Sequence, residues 1–134
     1  MPRTAQSLPT ASELEILQII WQRGPSTVRE VYLTIAQDRD AGYSTVLKFM
    51  QIMTDKGTLI RDESVRPQLY RPAQPQGQVQ KGIVQDLVRR AFGGSSFTLV
   101  MQALSDNTAS DDERRRIREL LDSLPTPGSK RKRP

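Results

Sequence analysis

Cysteine and histidine are both absent from the 134 residues. Without a thiol or an imidazole there is no disulfide framework, no thiolate nucleophile, no histidine acid-base catalyst and no usual ligand set for zinc or copper. Only carboxylate chemistry or hard-metal binding stays open to an enzyme, and we expect neither a cofactor nor a metal. Long apolar runs are missing too, none approaching the roughly 20 residues needed to cross a bilayer. The opening Met1-Pro2-Arg3-Thr4-Ala5-Gln6 lacks an apolar signal core, so a cytoplasmic protein is expected.

A positive excess is present, but not where a nucleic-acid-binding face needs it. The formal net charge is +5, yet residues 1–72 carry nine Lys/Arg against eight Asp/Glu and residues 73–124 carry seven against seven. The last ten residues carry four basic side chains, Lys130-Arg131-Lys132-Arg133, and no acid. Any DNA-binding face must therefore come from local placement of charge. Residues 125–134, after Pro125, Pro127 and Gly128, read as a disordered basic tail, with a weak, sequence-blind hold on phosphate as the functional alternative.

Three helices are expected in the first 57 residues. Thr10-Ala11-Ser12-Glu13 fits a capping box, and Leu14, Leu17, Ile20 and Trp21 mark a first helix ending at Gly24-Pro25. Thr27-Val28-Arg29-Glu30 is a second box, followed by Val31, Tyr32 and Ile35 at helical spacing. A third helix is predicted over 44–56, with Ser44 as its cap and Gly57 as its left-handed stop. Val46, Phe49, Met50 and Met53 recur at i, i+3, i+4 and i+7, which gives this helix one face to bury. Thr58 to Glu63 and Gln68 to Arg71 read as two strands around the turn Ser64-Val65-Arg66-Pro67. Three helices followed by an arginine-bearing hairpin is the order of a winged helix-turn-helix DNA reader.

Pro72, Pro75 and Gly77 are expected to interrupt regular structure and to divide a winged-helix domain, 8–73, from a helical domain, 76–124. Val79, Ile83, Leu87 and Ala91 mark a fourth helix, Phe97, Val100, Met101 and Leu104 a fifth, and Ser110-Asp111-Asp112-Glu113 caps a sixth with Ile117, Leu120, Leu121 and Leu124 on its face. These apolar side chains are too few to offset the entropy of ordering the whole segment, so a partner is needed. A second copy is the commonest one. Ile83, Leu87, Phe97, Val100, Met101, Leu104, Ile117, Leu120, Leu121 and Leu124 are the candidate dimerisation residues, with folding back onto the first domain as the alternative. The fold class expected is mainly α with a small β-hairpin wing: a winged helix-turn-helix domain plus a three-helix dimerisation domain.

A helix that reads the major groove must present short or hydrogen-bonding side chains near its N-terminus. Ser44, Thr45, Leu47, Lys48 and Gln51 are the candidates. Each has a plainer reading: Ser44 as a cap, Thr45 as a first-turn residue, Leu47 as packing, Lys48 and Gln51 as solvated side chains. Asp55, on the same side, repels phosphate. Arg61, Arg66 and Arg71 in or beside the hairpin, and Arg29 in the second helix, are phosphate candidates whose weight lies in the cluster.

These residues together resemble the penicillinase repressor (BlaI/MecI/CopY) family of winged-helix transcriptional regulators. The resemblance lies in Glu13-Leu14-Glu15-Ile16-Leu17 with Ile20-Trp21, Thr27-Val28-Arg29-Glu30-Val31, Tyr43-Ser44-Thr45-Val46, Lys56-Gly57, Tyr70 and Phe92-Gly93-Gly94-Ser95, and runs from about Leu8 to Leu124. It implies a homodimer that binds a two-fold symmetric operator in double-stranded DNA and blocks transcription, with groove contacts at Ser44, Thr45, Leu47 and Lys48. It also implies a membrane-bound sensor metallopeptidase, or a protease downstream of it, as a partner in the antibiotic-responsive members, which are cleaved in the fifth helix at an asparagine-phenylalanine bond. This chain departs from that pattern with Gln102-Ala103 in the corresponding cleavage region. The copper-responsive members carry a cysteine-rich site, which a chain without cysteine excludes.

Two other classes compete. A winged-helix protein-interaction adaptor without sequence-specific DNA binding is distinguished by salt, because phosphate contacts weaken steeply as salt rises and apolar docking does not. A carboxylate enzyme built on Asp111-Asp112-Glu113 is disfavoured, because acids at a helix start are explained by the helix dipole and no glycine-rich phosphate loop accompanies them.

Overall fold

The computed structural model describes residues 8–106 and 108–126. The element order is α1 (Ala11–Arg23), α2 (Val28–Ala36), α3 (Tyr43–Lys56), β1 (Leu59–Asp62), β2 (Leu69–Pro72), α4 (Gln76–Ala91), α5 (Ser96–Leu104) and α6 (Asp111–Ser123). This is a mainly α fold with one antiparallel hairpin, and its compact units divide between Asp86 and Leu87, within α4. No helix among the described residues is long and apolar enough to cross a membrane. The basic run 130–133 lies outside the described residues.

Local signals start three of the helices as the sequence predicts. Thr10, Thr27 and Ser110 each accept a hydrogen bond from the backbone N–H three residues on, and Glu13, Glu30 and Glu113 each accept one from the cap residue in return. These reciprocal bonds satisfy amides that a helix start leaves open.

The start of α3 differs from expectation. Its N-cap is Gly42, in an extended conformation and with no side-chain bond, while Ser44 is already the second helical residue. Ser44 has the right chemistry for a cap but stands inside the helix, and Val46 N–H donates to Gly42 O at 3.2 Å. The end of α3 agrees: Gly57 takes φ 84°, and Thr58 N–H reaches back to Met53 O at 2.8 Å. That left-handed turn releases the chain directly into the wing.

In the wing, Leu59 pairs with Pro72, Ile60 with Arg71, Arg61 with Tyr70 and Asp62 with Leu69. A third segment joins it. Ser26, in the loop between α1 and α2, exchanges two backbone hydrogen bonds with Tyr70, at 3.0 and 2.8 Å. The hairpin is thereby tied to the helix-turn-helix instead of projecting alone.

The core lies entirely in the N-terminal unit: Ile16, Leu17 and Ile20 of α1, Val28, Val31 and Ile35 of α2, Val46, Met50 and Met53 of α3, Leu59 and Tyr70 of the wing. Of the stripes read from sequence in α1–α3, Leu17, Ile20, Val28, Val31, Ile35, Val46, Met50 and Met53 are buried, while Leu14, Trp21, Tyr32 and Phe49 pack half-buried against them. Gly77, expected to interrupt, instead lies in the first turn of α4, where Gln78 and Val79 donate to Pro75 O. A glycine costs a helix backbone entropy but keeps its N–H, so it weakens the first turn without breaking it. None of α4, α5 and α6 has a buried residue within the protomer.

Candidate nucleic-acid interface

Burial of Val46, Met50 and Met53 fixes which side of α3 faces outward. Ser44, Thr45, Lys48, Gln51 and Asp55 are exposed on that side. Leu47 is half-buried and packs against the core cluster, so much of its side chain is engaged by the domain itself. Two residues outside the sequence-derived set share the exposed surface. Ile52 follows Lys48 by one turn, a neighbour that helical spacing alone identifies. Tyr43 opens the helix, and its ring meets Tyr32 of α2 edge-on, with centroids 5.6 Å apart and planes at 76°. This contact braces the first turn against the preceding helix.

The turn between α2 and α3 is held from outside. Arg39 donates to Glu15 of α1 through Nε at 3.2 Å and through Nη2. A forked pair of this kind fixes orientation as well as charge. The carboxylate holds the Arg39 guanidinium above its ordinary pKa, first by hydrogen bonding and then by Coulomb attraction.

The four phosphate candidates are not equivalent. Arg29, exposed in the first turn of α2, has no acidic partner among the described residues. Arg71 is exposed on β2. Arg66, in the turn, donates through Nη1 to the carbonyls of Glu63 and Val65 at 3.0 and 3.3 Å, which folds it over the tip. Arg61 is committed to its own hairpin. Its Nε donates to Glu63 at 3.1 Å, and bonding first to Tyr70 and then to Glu63 raises its pKa. Period-two alternation along the expected strand Thr58 to Glu63 already puts Arg61 and Glu63 on one face, so the sequence did carry that signal, although β1 itself ends at Asp62. At the turn, Asp62 accepts from Ser64 N and Oγ at 2.9 and 2.6 Å, and these bonds, ahead of attraction to Arg71, lower its pKa.

Along α4, α5 and α6 the apolar residues are exposed or at most half-buried. Phe97 is 71% exposed and Leu121 62%, and Leu87, Val100, Met101, Leu104, Leu120 and Leu124 are also exposed, while Ile83 of α4 and Ile117 of α6 are half-buried. Gln102 and Ala103 stand exposed within α5.

Comparison with known proteins agrees with this architecture. Two curated relatives, each named transcriptional regulator BlaI and drawn from two strains of Mycobacterium tuberculosis (CDC 1551 / Oshkosh and ATCC 25618 / H37Rv), are 24% identical over 112 residues, covering 81% of this chain and 81% of each relative. The penicillinase repressor family matches residues 9–123, nearly the whole described fold, and the chain belongs to that family of transcriptional regulators.

Proposed function

We propose that this repressor acts as a homodimer on a two-fold symmetric operator, each protomer placing the first turns of α3 in the major groove. The observation that carries the reading is the division of α3 into a buried face and an outward face bearing Ser44, Thr45, Lys48 and Gln51. Lys48 and Gln51 supply hydrogen bonds to base edges, and Ser44 and Thr45 bond bases or nearby phosphates. Leu47 offers its remaining apolar surface to a thymine methyl. Arg29, Arg66 and Arg71 hold the backbone, and Arg61 chiefly stiffens the wing that carries them.

Dimerisation falls to the uncovered residues of α4–α6. In water, apolar surface of this extent is stabilised by burial against a matching surface, and a second copy supplies it. Pairing sets the spacing of the two α3 helices at about 34 Å or a multiple, one turn of duplex. A protein of this kind works in the cytoplasm, where its DNA lies. Gln102–Ala103 is exposed in α5, so a protease that accepted this bond in place of asparagine-phenylalanine, whether a sensor metallopeptidase or one downstream of it, would separate α6 from the rest and undo the pair.

The test is protection mapping of the purified protein on the intergenic DNA upstream of its own coding sequence. A symmetric footprint with two protected half-sites is expected. Uniform, sequence-blind protection that shows no half-sites rejects the reading.

A further inference from the structure

A cavity of about 570 Å³ opens in the N-terminal unit where the end of α3, the start of β1 and the first half of α4 meet. Its size lies within the range of small-molecule sites. The walls mix two chemistries: Leu8, Pro9, Pro72 and Val79 give apolar surface over the buried Leu17, and Gln74, Gln78 and Gln85 give amides. Two lysines line it, but among the described residues no aspartate, glutamate or arginine does. The lysines differ. Lys56 is neutralised, because its ammonium bonds both oxygens of Glu13. Lys81 is exposed and has no acidic partner among the described residues.

The hollow therefore offers one uncompensated positive charge beside apolar and amide surface. A phosphate ester, with close to two negative charges, is best held by guanidinium forks, and none lines the cavity among the described residues. A monoanion with an apolar body matches both the charge count and the walls. The geometry points to this cavity as a binding site for a small amphiphilic monocarboxylate, with Lys81 as its charge partner, whose occupancy is coupled to DNA binding.

Coupling follows from what the walls are made of. Lys56, Gly57 and Thr58 end the recognition helix and begin the wing, while Lys81 and Gly82 belong to α4, the helix that continues past Asp86 into the second unit. A ligand touching both groups favours the arrangement that fits it best, and DNA favours the arrangement that fits two half-sites. When the preferences differ, each ligand changes the affinity of the other by the same factor. This half of the inference rests on the proposed DNA-binding role, whereas the binding half does not.

Octanoate, with octanol as the uncharged control, is the probe, added to the full chain and followed by amide NMR. Octanoate is expected to move the Gly57, Thr58 and Gly82 signals. Lys81→Gln should weaken its binding about tenfold, the worth of ~1.4 kcal/mol, while Lys81→Arg preserves it and octanol is indifferent to both changes. Saturating octanoate should change operator affinity about fivefold or more. Signals moving only in α5 and α6, or equal binding by octanoate and octanol, overturn the site. An unchanged operator affinity overturns the coupling alone. Failure of the ligand-free protein to bind any operator counts against the DNA-binding reading, while the octanoate titration still decides for or against the cavity by itself.

Discussion

Lys56, the last residue of α3, bonds both carboxylate oxygens of Glu13 in the first turn of α1, at 3.0 and 2.9 Å. Glu13 is 4% exposed and also accepts from Thr10 N–H at 3.1 Å, so one carboxylate both caps α1 and anchors the end of α3. A buried carboxylate that loses its cation stays desolvated and uncompensated. Lys56→Met is therefore expected to lower unfolding stability by about 3 kcal/mol. Pairing it with Glu13→Gln should recover part of the loss, since the glutamine keeps the cap and removes the stranded charge. Urea unfolding of the two variants checks this, and equal losses in the single and double variants contradict it.

Glu30 gives a pH-dependent counterpart. Its ordinary pKa of 4.5 is lowered in the fold, first by the hydrogen bond from Thr27 N–H and then, against a desolvation cost, by Arg23, whose Nη2 lies 3.3 Å away. A depressed carboxyl stabilises the fold above its unfolded-state pKa, and that contribution is lost as pH falls through the folded value. Glu30→Gln retains the capping geometry but not the charge. At about pH 7 it should cost ~0.5 kcal/mol, the scale of a solvent-screened charge at a helix start, and the gap from wild type should close below the carboxylate range. Urea midpoints across that range supply the comparison.

What was legible in the sequence was local. The boxes at Thr10, Thr27 and Ser110 join residues three apart and depend on little else, so their chemistry can be read from the string. The stripe Val46, Met50, Met53 was legible for the same reason, because helical period and burial coincide. Ser44 misled because its side chain suits a cap, whereas α3 starts two residues earlier from Gly42, which has no side chain to signal it. The ring contact of Tyr43 with Tyr32, which braces that start, is tertiary. The Ser26–Tyr70 bridge and the Lys56–Glu13 pair join distant parts of the chain and leave no local pattern. Within the candidate site, the outward face of α3 was readable, whereas the engagement of Arg66 by turn carbonyls required the folded hairpin.

Lys48 tests the proposed reading of DNA by α3. It is exposed on the side opposite the buried methionines, and its removal disturbs no packing in the core. Lys48→Ala should weaken operator binding about tenfold at fixed moderate salt, by fluorescence anisotropy. Its dimer should stay intact. If Lys48 meets a base, the loss is confined to the operator, whereas a phosphate contact weakens operator and random DNA alike and reduces the salt slope by about one. Unchanged affinity for both DNAs means that this face of α3 does not meet the duplex.

Leu121 tests the pairing. It is 62% exposed in the protomer, on a helix with no buried residue, so an aspartate there disrupts no contact of the protomer's core. Burial against a second copy is different, because a carboxylate placed in an apolar interface is desolvated without a partner. Leu121→Asp should therefore sediment as a monomer while its N-terminal unit stays folded, as judged by circular dichroism. Operator affinity should fall by about a hundredfold or more, because a protomer holding one half-site no longer supplies its copy to the other at high effective concentration. A monomer that kept full operator affinity would separate dimerisation from DNA reading, whereas an intact dimer would place the interface on another face of the helices.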